Sequence, residues 1–391
     1  MSELVDLAWP DVDGRLHFES VPAERAGRPA LEVDPAELGW SGLDGPLFPE
    51  PVPGSGELAS PWNANRAVLP CRLLGSDGEP SPVCGRTVLS EAIAAVDAIG
   101  AAPVMAAEVE LVLLDSPGGE PVYPHIENYG IVAGSPYEPI MRLLRSLRFG
   151  PVRVTASNPE YGPGQFEINL SHGPAMAAAD AVSLLRAWGE SAAASVGLAA
   201  DFSAKPGMEL SGNGLHVHQS LWSGERNTFW DAGLSASARA YLGGLLDAMP
   251  ELAALGSPSE DAYLRRENGS FCPTVVSWGG DNRTVAVRAL ADDEPATRVE
   301  QRDAAADANP YLVLAGQLRA GLAGMDAGSD PGEPITDNAY GHDELPALPT
   351  DLGSALTSLD SSDLGRKVLG ERGHAAFVAT MRGRVGERGT A

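Results

Sequence analysis

The 391-residue sequence predicts an α+β chain, with a small β-rich domain over residues 1–85 and a large mixed domain over 86–391. Three observations predict it. Short alternating segments with Asp-Gly turns crowd the first 85 residues. The apolar period then switches from strand-like to helical after Thr87. Beyond that point, strands that carry polar pairs alternate with Ala-rich helices, the pattern of a sheet covered by helices.

The elements follow in order. Leu4-Val-Asp-Leu7, the Asp13-Gly14 turn and Leu16 through Val21 read as one hairpin. Residues 22–65, rich in Pro, Gly and acids, read as largely irregular, and Val68–Leu74 with a turn at Asp77-Gly78 reads as a second hairpin. Val88, Ile93, Val96 and Ile99 mark the apolar side of a helix that Gly100 stops. Strands are predicted at 104–114, 152–157, 164–170, 214–222, 273–278, 283–290 and 298–302. Helices are predicted at 137–148, 175–199, 235–248 and 309–324, the last opened by Asn309-Pro310, where proline suits the first helical turn. Residues 326–352 read as a polar loop region, with short helices after it.

Composition excludes several functions. A formal charge of −26 is unsuited to nucleic acid or an anionic membrane surface, so neither is expected as a partner. Lys205 and Lys367 are the only lysines, and there is no GxxxxGK[ST] loop. A bound phosphate must therefore be held by arginine, backbone N–H groups or metal. Cys71, Cys84 and Cys272 lack CxxC spacing and give neither a disulfide framework nor a zinc signature. No secretory signal or membrane-spanning run is read, so a reducing cytoplasm is the expected compartment.

The chemistry lies in alternate residues. Glu108-Val-Glu110, His216-Val-His218 and Arg298-Val-Glu300-Gln-Arg302 each place two or more polar side chains on one face of a strand, and Glu160 through Gln165 to Glu167 does so more loosely. Glu108 and Glu110 interrupt the apolar run Val104 to Leu114. Carboxylates in such a strand need a cation, because an uncompensated buried charge is costly. Many carboxylates and few imidazoles favour a hard divalent ion, Mg²⁺ or Mn²⁺, over zinc. Arg265, Arg283, Arg288, Arg298 and Arg302 add fixed forks suited to phosphate and carboxylate oxygens. Metal with arginine clamps is the equipment of phosphoryl transfer.

Four ordered blocks carry a family resemblance. Asn158-Pro-Glu-Tyr-Gly-Pro-Gly-Gln-Phe-Glu-Ile-Asn169, Gly214-Leu-His-Val-His-Gln-Ser-Leu221, Ser277-Trp-Gly-Gly-Asp-Asn-Arg283, and Arg298-Val-Glu-Gln-Arg302 followed by Asn309-Pro-Tyr-Leu312 resemble the signature blocks of the glutamine synthetase family. The resemblance spans about Val104 to Met325. It implies a β-grasp-like N-terminal domain and a catalytic domain built on a curved antiparallel sheet flanked by helices. It also implies that Glu110, Glu160 and Glu167 hold one divalent metal, and Glu108, His216 and Glu300 a second that bridges the phosphates of ATP. His218 and Arg288 would lie at the nucleotide phosphates, Arg265 at the substrate carboxylate, Arg283 and Arg302 at the transferred phosphoryl group, and Gly212 in the loop around the amino-acid substrate. A homo-oligomer, a double hexameric ring with active sites between subunits, is implied as well.

Two departures bear on the substrates. The family's ammonia-using members carry an acid in a Gly-Tyr-Glu-Ala-Pro flap, whereas Gly269-Ser-Phe-Cys-Pro273 puts Phe271 there. A phenyl ring cannot accept a proton but can pack on an alkyl or aryl amine. Ser211 replaces an asparagine before Gly212 and keeps fewer hydrogen bonds. The expected function is an ATP-dependent ligase that activates the γ-carboxylate of glutamate, or a similar amino acid, and joins it to an amine other than ammonia. An ordinary glutamine synthetase with a relocated ammonium site, and a catalytically silent ATP- and metal-binding relative, are the alternatives. Asp44 is the candidate acid that a neighbouring subunit contributes.

Overall fold

A computed structural model describes residues 4–26, 31–52, 58–59, 66–123, 148–149, 152–267 and 269–388. The N-terminal sheet contains β1 (Leu4–Pro10), β2 (Leu16–Pro22), β3 (Phe48–Pro51), β4 (Leu58–Ala59) and β5 (Ala67–Leu74). Strands β1 and β2 form the expected hairpin, and β5 runs parallel to β1 in the order β2-β1-β5-β3, with β4 also on β5. Within the largely irregular stretch 22–65, β3 and β4 pair with β5 and two 3-10 turns form at 23–25 and 35–38. One expectation is corrected here. The second hairpin is only a turn: past Gly75–Glu79 the single bridge Leu74 to Pro80 forms, and Pro80 and Pro82 have no N–H to extend a ladder.

Helix α1 (Gly85–Asp97) leads into the large sheet. Its strands are β6 (Ala102–Leu114), β7 (Arg148–Phe149), β8 (Val152–Pro159), β9 (Gln165–Leu170), β10 (Gly173–Pro174), β11 (Ala199–Asp201), β12 (Gly214–Ser223), β13 (Arg226–Asn227), β14 (Trp278–Gly279), β15 (Val287–Leu290) and β16 (Arg298–Ala305). Their order is β14-β15-β16-β12-β6-β9-β8-β7, and every pair except β14–β15 is antiparallel. The sheet curls into a half-barrel. Its central strands, β16, β12, β6 and β9, are the ones that carry the alternating acids and histidines.

The helices are α2 (Ala175–Ser195), α3 (Ala236–Gly256), α4 (Glu260–Tyr263), α5 (Pro310–Ala327), α6 (Leu352–Ser361) and α7 (Asp363–Arg388). Side chains of Asn309 and Ser235 cap α5 and α3 by accepting from free backbone N–H groups. The backbones of α3 and α5 touch: a Cβ on Gly244 would sit 2.3 Å from the Ala320 carbonyl oxygen, and one on Gly324 equally close to that of Ala240. Glycine is required there because no side chain fits. Arg86 of α1 pairs with Asp180 of α2, which also accepts from the Tyr311 hydroxyl of α5 at 2.8 Å. No helix among the described residues is long and apolar enough to cross a membrane.

Several boundaries differ from expectation. The predicted helix 137–148 lies outside the described residues apart from Arg148, which begins β7. Helix α2 ends at Ser195, because Ala199–Asp201 pairs with β6 instead of continuing it. Helix α3 runs through Pro250 to Gly256, since burial of Ala253, Ala254 and Leu255 offsets the lost backbone hydrogen bond. The predicted strands 273–278 and 283–290 shrink to Trp278–Gly279 and Val287–Leu290. Much of the earlier stretch bonds to the later tail instead, with Val276 N donating to the Pro346 carbonyl at 2.8 Å and Leu348 N to that of Thr274 at 2.9 Å. Strand β16 extends to Ala305.

Candidate active site

Register brings the polar pairs together. His216 on β12 lies opposite Glu108 on β6, Glu108 and Glu110 lie opposite Asn169 and Glu167 on β9, and Glu300 on β16 lies opposite both His218 and Arg288. Side chains on opposed residues of adjacent strands are within contact distance, so four strand pairings suffice to build the cluster. A ladder irregularity between Leu215 and Val217 falls at His216.

Glu108 is the hub. Its Oε1 lies 3.0 Å from His218 Nε2, and its Oε2 lies 3.4 Å from His216 Nδ1. Burial alone would raise its pKa, but hydrogen bonds from His216 and His218 hold the carboxyl far below the usual range. Arg298 Nε lies 3.1 Å from His218 Nδ1 and fixes the ring from its other side.

Glu300 has no exposed surface. Arg302 donates to its Oε1 at 2.6 Å and Arg288 to its Oε2, while His216 Nδ1 stands 3.8 Å away. Burial opposes ionisation, yet His218, Arg302 and His216 hold the Glu300 carboxyl down at about 2. Arg288 reaches in addition to Asp281 on the preceding turn.

Glu160 and Glu167 behave in the opposite way. Burial, with the negative charge of Glu110, pushes Glu160 up to about 7, and burial with Glu108 does the same for Glu167. Asn169 Nδ2 donates to Glu167 at 2.9 Å and Asn158 Nδ2 at 3.4 Å. Glu110 accepts from the backbone N–H of Gly214 at 2.6 Å. Two carboxyls raised to about 7 by burial and by neighbouring negative charge, beside three further acids and two imidazoles, form a donor set that fits a hard divalent cation. Ligand atoms of Glu108, Glu167 and His216 lie within 4.8 Å of one another, as do those of Glu108, His218 and Glu300. The grouping thus places Glu108 in both sets and His218 beside Glu300.

A cleft of about 370 Å³ adjoins this cluster. Glu110, Ser211, Gly212, Arg265, Phe271 and Arg302 all line it, so one carboxylate of the acid cluster and the predicted substrate residues face one space. Arg265 is buried and donates to the Ala304 carbonyl at 3.0 Å, while its Nη1 has no partner among the described residues. A buried guanidinium with a spare N–H awaits an acceptor. A Cβ on Gly212 would fall 2.3 Å from Arg265 Cγ, which explains the glycine. Arg283 is exposed on the turn before β15, and its charge reaches Glu160.

Phe271 is 41% exposed and has φ 59°, one of two non-glycine residues with positive φ among those described. Such a conformation costs about 1–2 kcal/mol and is retained where a site needs it. Its ring meets that of Tyr161, 62% exposed, at 5.6 Å between centroids. Sequence reasoning missed Tyr161, Asn158, Asn169 and Asp281. Asn169 alternates with Glu167 on one strand face and was findable; Asp281 and Tyr161 sit on turns, where no period betrays orientation.

Comparisons with known proteins agree with this geometry. The family model described as glutamine synthetase, catalytic domain, matches residues 82–387. The glutamate–isopropylamine ligase of a Pseudomonas species is 33% identical over 86% of this chain and 81% of the relative. The gamma-glutamylethanolamide synthetase GlnA4 of Streptomyces coelicolor is 29% identical over 94% of this chain and 86% of the relative. A solved structure of GmaS with ADP superposes with a TM-score of 0.89 at 27% identity, covering 100% of this chain and 94% of that one.

Proposed function

The chain belongs to the glutamine synthetase family, and on that premise we propose that it is an ATP-dependent ligase joining the γ-carboxylate of glutamate, or a similar amino acid, to an amine other than ammonia. The observation that carries this reading is Phe271, an apolar ring lining the cleft where ammonia users have an acid. The names of two relatives, an isopropylamine ligase and an ethanolamide synthetase, support the same substrate class.

The reaction has two steps. A carboxylate oxygen of the acid substrate forms a bond to the γ-phosphorus of ATP as the bond to ADP breaks, giving an acyl phosphate. The amine nitrogen then attacks the acyl carbon, loses a proton, and phosphate leaves with the electrons of the C–O bond. Divalent metal held by Glu108, Glu110, Glu160, Glu167, His216 and Glu300 would supply charge neutralisation on the phosphates. His218 and Arg288 would bind the nucleotide phosphates, and Arg283 and Arg302 the transferred phosphoryl group. The unpartnered Nη1 of Arg265 supports a role toward a substrate carboxylate. Ser211 and Gly212 would enclose the amino-acid backbone. Tyr161 and Phe271 would pack on the amine's carbon substituent and exclude water from the acyl phosphate.

The finer partnership is proposed on family grounds. A double hexameric ring would place each site between subunits, and Asp44, exposed on the loop before β3, would be the acid offered to a neighbour.

Phosphate release tests the reading directly. With glutamate, ATP and Mg²⁺, isopropylamine, ethanolamine or another small amine should stimulate release well above ammonium. Turnover with ammonium alone, unaltered by any amine, would restore ordinary glutamine synthesis. Absence of metal-dependent ATP binding would favour a silent relative.

A further inference from the structure

The flap that carries Phe271 is tied at its base by its own neighbours. Ser270 Oγ lies 2.8 Å from the Arg265 carbonyl oxygen and 2.6 Å from that of Glu267, and it accepts from Cys272 N at 3.3 Å. These bonds are local, and they leave the Phe271 side chain exposed on a backbone with φ 59°. A bulky residue keeps such a conformation only where surrounding structure imposes it.

The contact from outside the flap is made by Tyr340, 68 residues further along the chain. Its hydroxyl donates to the Cys272 carbonyl at 3.0 Å. The Ser270 side chain and the Phe271 backbone N–H also act on that hydroxyl, so one side chain meets the backbone on both sides of the Phe271 ring. Burial pushes the hydroxyl up to about 12, and it therefore keeps the proton it donates. Tyr340 does not line the cleft, although the charge of Arg302, which does, reaches it.

The support under Tyr340 is itself fixed. It sits on the 3-10 turn Ala339–Gly341, where the Asn338 side chain accepts from Tyr340 N at 3.1 Å and Ala339 is buried. Ala339 N donates to Thr284 Oγ1 at 2.9 Å, and Asn282 Nδ2 donates to the carbonyls of Ile335 at 3.2 Å and Asp337 at 2.8 Å. Ile335 N bonds the Trp278 carbonyl at 2.8 Å. The segment after α5 is thus strapped across the turn that carries Arg283, and from that strap Tyr340 reaches the flap.

We propose that Tyr340 is a positioning residue for amine specificity, its hydroxyl holding the flap so that the Phe271 ring stays against Tyr161 in the cleft. This role rests on the amine-ligase reading for its consequence, since ammonia has no carbon substituent for a ring to touch. With the hydroxyl gone, the flap relaxes and a small alkylamine loses one apolar wall, while the carboxylates and arginines of the acid cluster keep their places.

Tyr340→Phe, which removes only the hydroxyl, tests the proposal in the full chain. Hydrogen exchange of the amides at 269–274 should quicken by about 2- to 10-fold, the effect of one lost hydrogen bond, with exchange in β6 unchanged. The KM for isopropylamine should rise by a similar factor with kcat and the KM for ATP little altered, so that kcat/KM for isopropylamine falls relative to that for ammonium. In a Phe271→Ala background, Tyr340→Phe should not change that ratio further, because the hydroxyl acts through the ring it holds. A merely structural residue would lower kcat/KM for every substrate alike and add to the loss from Phe271→Ala. Unaltered flap exchange overturns the proposal whichever nitrogen substrate the enzyme uses. Faster flap exchange with an unaltered isopropylamine-to-ammonium ratio, or an additive double variant, overturns the specificity role. Turnover of ammonium alone by the unsubstituted enzyme would end the ligase reading and the specificity role with it, while the placement of Phe271 by Tyr340 would still be decided by the exchange.

Discussion

Tyr161 and Phe271 come from separate turns, yet their rings meet at 5.6 Å and 31° beside the acid cluster, joining the segment after Glu160 to the flap before Cys272. Exposed aromatic rings normally lose little by separating, and the positive φ of Phe271 makes its placement unfavourable in isolation. An apolar substituent of the amine is the partner that gives both rings a role. Phe271→Ala and Tyr161→Ala should each lower kcat/KM for isopropylamine by about 10- to 100-fold, the loss of about 1.5–3 kcal/mol of packing. ATP binding should stay unchanged, and an equal loss with every amine and with ammonium would argue against packing as the cause.

Glu300 offers the sharpest stability test. It is fully buried and joins Arg288 and Arg302. Glu300→Ala leaves the buried Arg302 without its carboxylate and Arg288 with Asp281 alone, and should destabilise the chain by about 3–5 kcal/mol, read by urea unfolding. Glu300→Gln, which keeps the shape and one acceptor, should lose less stability while still losing activity.

Metal binding should depend on pH. Glu160 and Glu167 hold their protons up to about 7, against an ordinary 4.5. In the metal-free protein their raised values add stability that is fully present below about 4.5 and lost as pH rises through about 7, since only the unfolded chain ionises in between. A bound cation reverses the sign by favouring the ionised pair. Mn²⁺ affinity should therefore fall by about tenfold or more from pH 8 to pH 6. Calorimetric titrations with equal affinity at both pH values would contradict this.

The Gly212 loop admits no side chain. Gly212→Ala places its Cβ 2.3 Å from Arg265 Cγ and 3.1 Å from the Ala204 carbonyl oxygen. The Arg265 stem must move, so KM for glutamate should rise by about tenfold with little change in the affinity for ATP. Equal effects on both would place the loop's role elsewhere.

The central strands were legible because one face is polar and the other apolar. Glu108-Val-Glu110 and His216-Val-His218 announce their strands and their shared face together. The segment 273–290 was not legible, because its bonding partners Pro346, Pro331 and Ile335 lie more than fifty residues later and impose no local period. Pro250 likewise misled, since the packing that carries α3 beyond it comes from contacts distant in sequence. At the site, alternation identified the acids and histidines of the cluster but not their distribution: only the folded geometry puts Glu108 between both histidines and sets Asp281 on Arg288.

The identity of the nitrogen incorporated tests the central claim most directly. Mass spectrometry of products formed from glutamate, ATP and Mg²⁺ with equimolar isopropylamine and ¹⁵N-ammonium reads it in one experiment. The account predicts γ-glutamylisopropylamide as the dominant product, with little labelled glutamine. Labelled glutamine alone, with no amide of the amine, would contradict it.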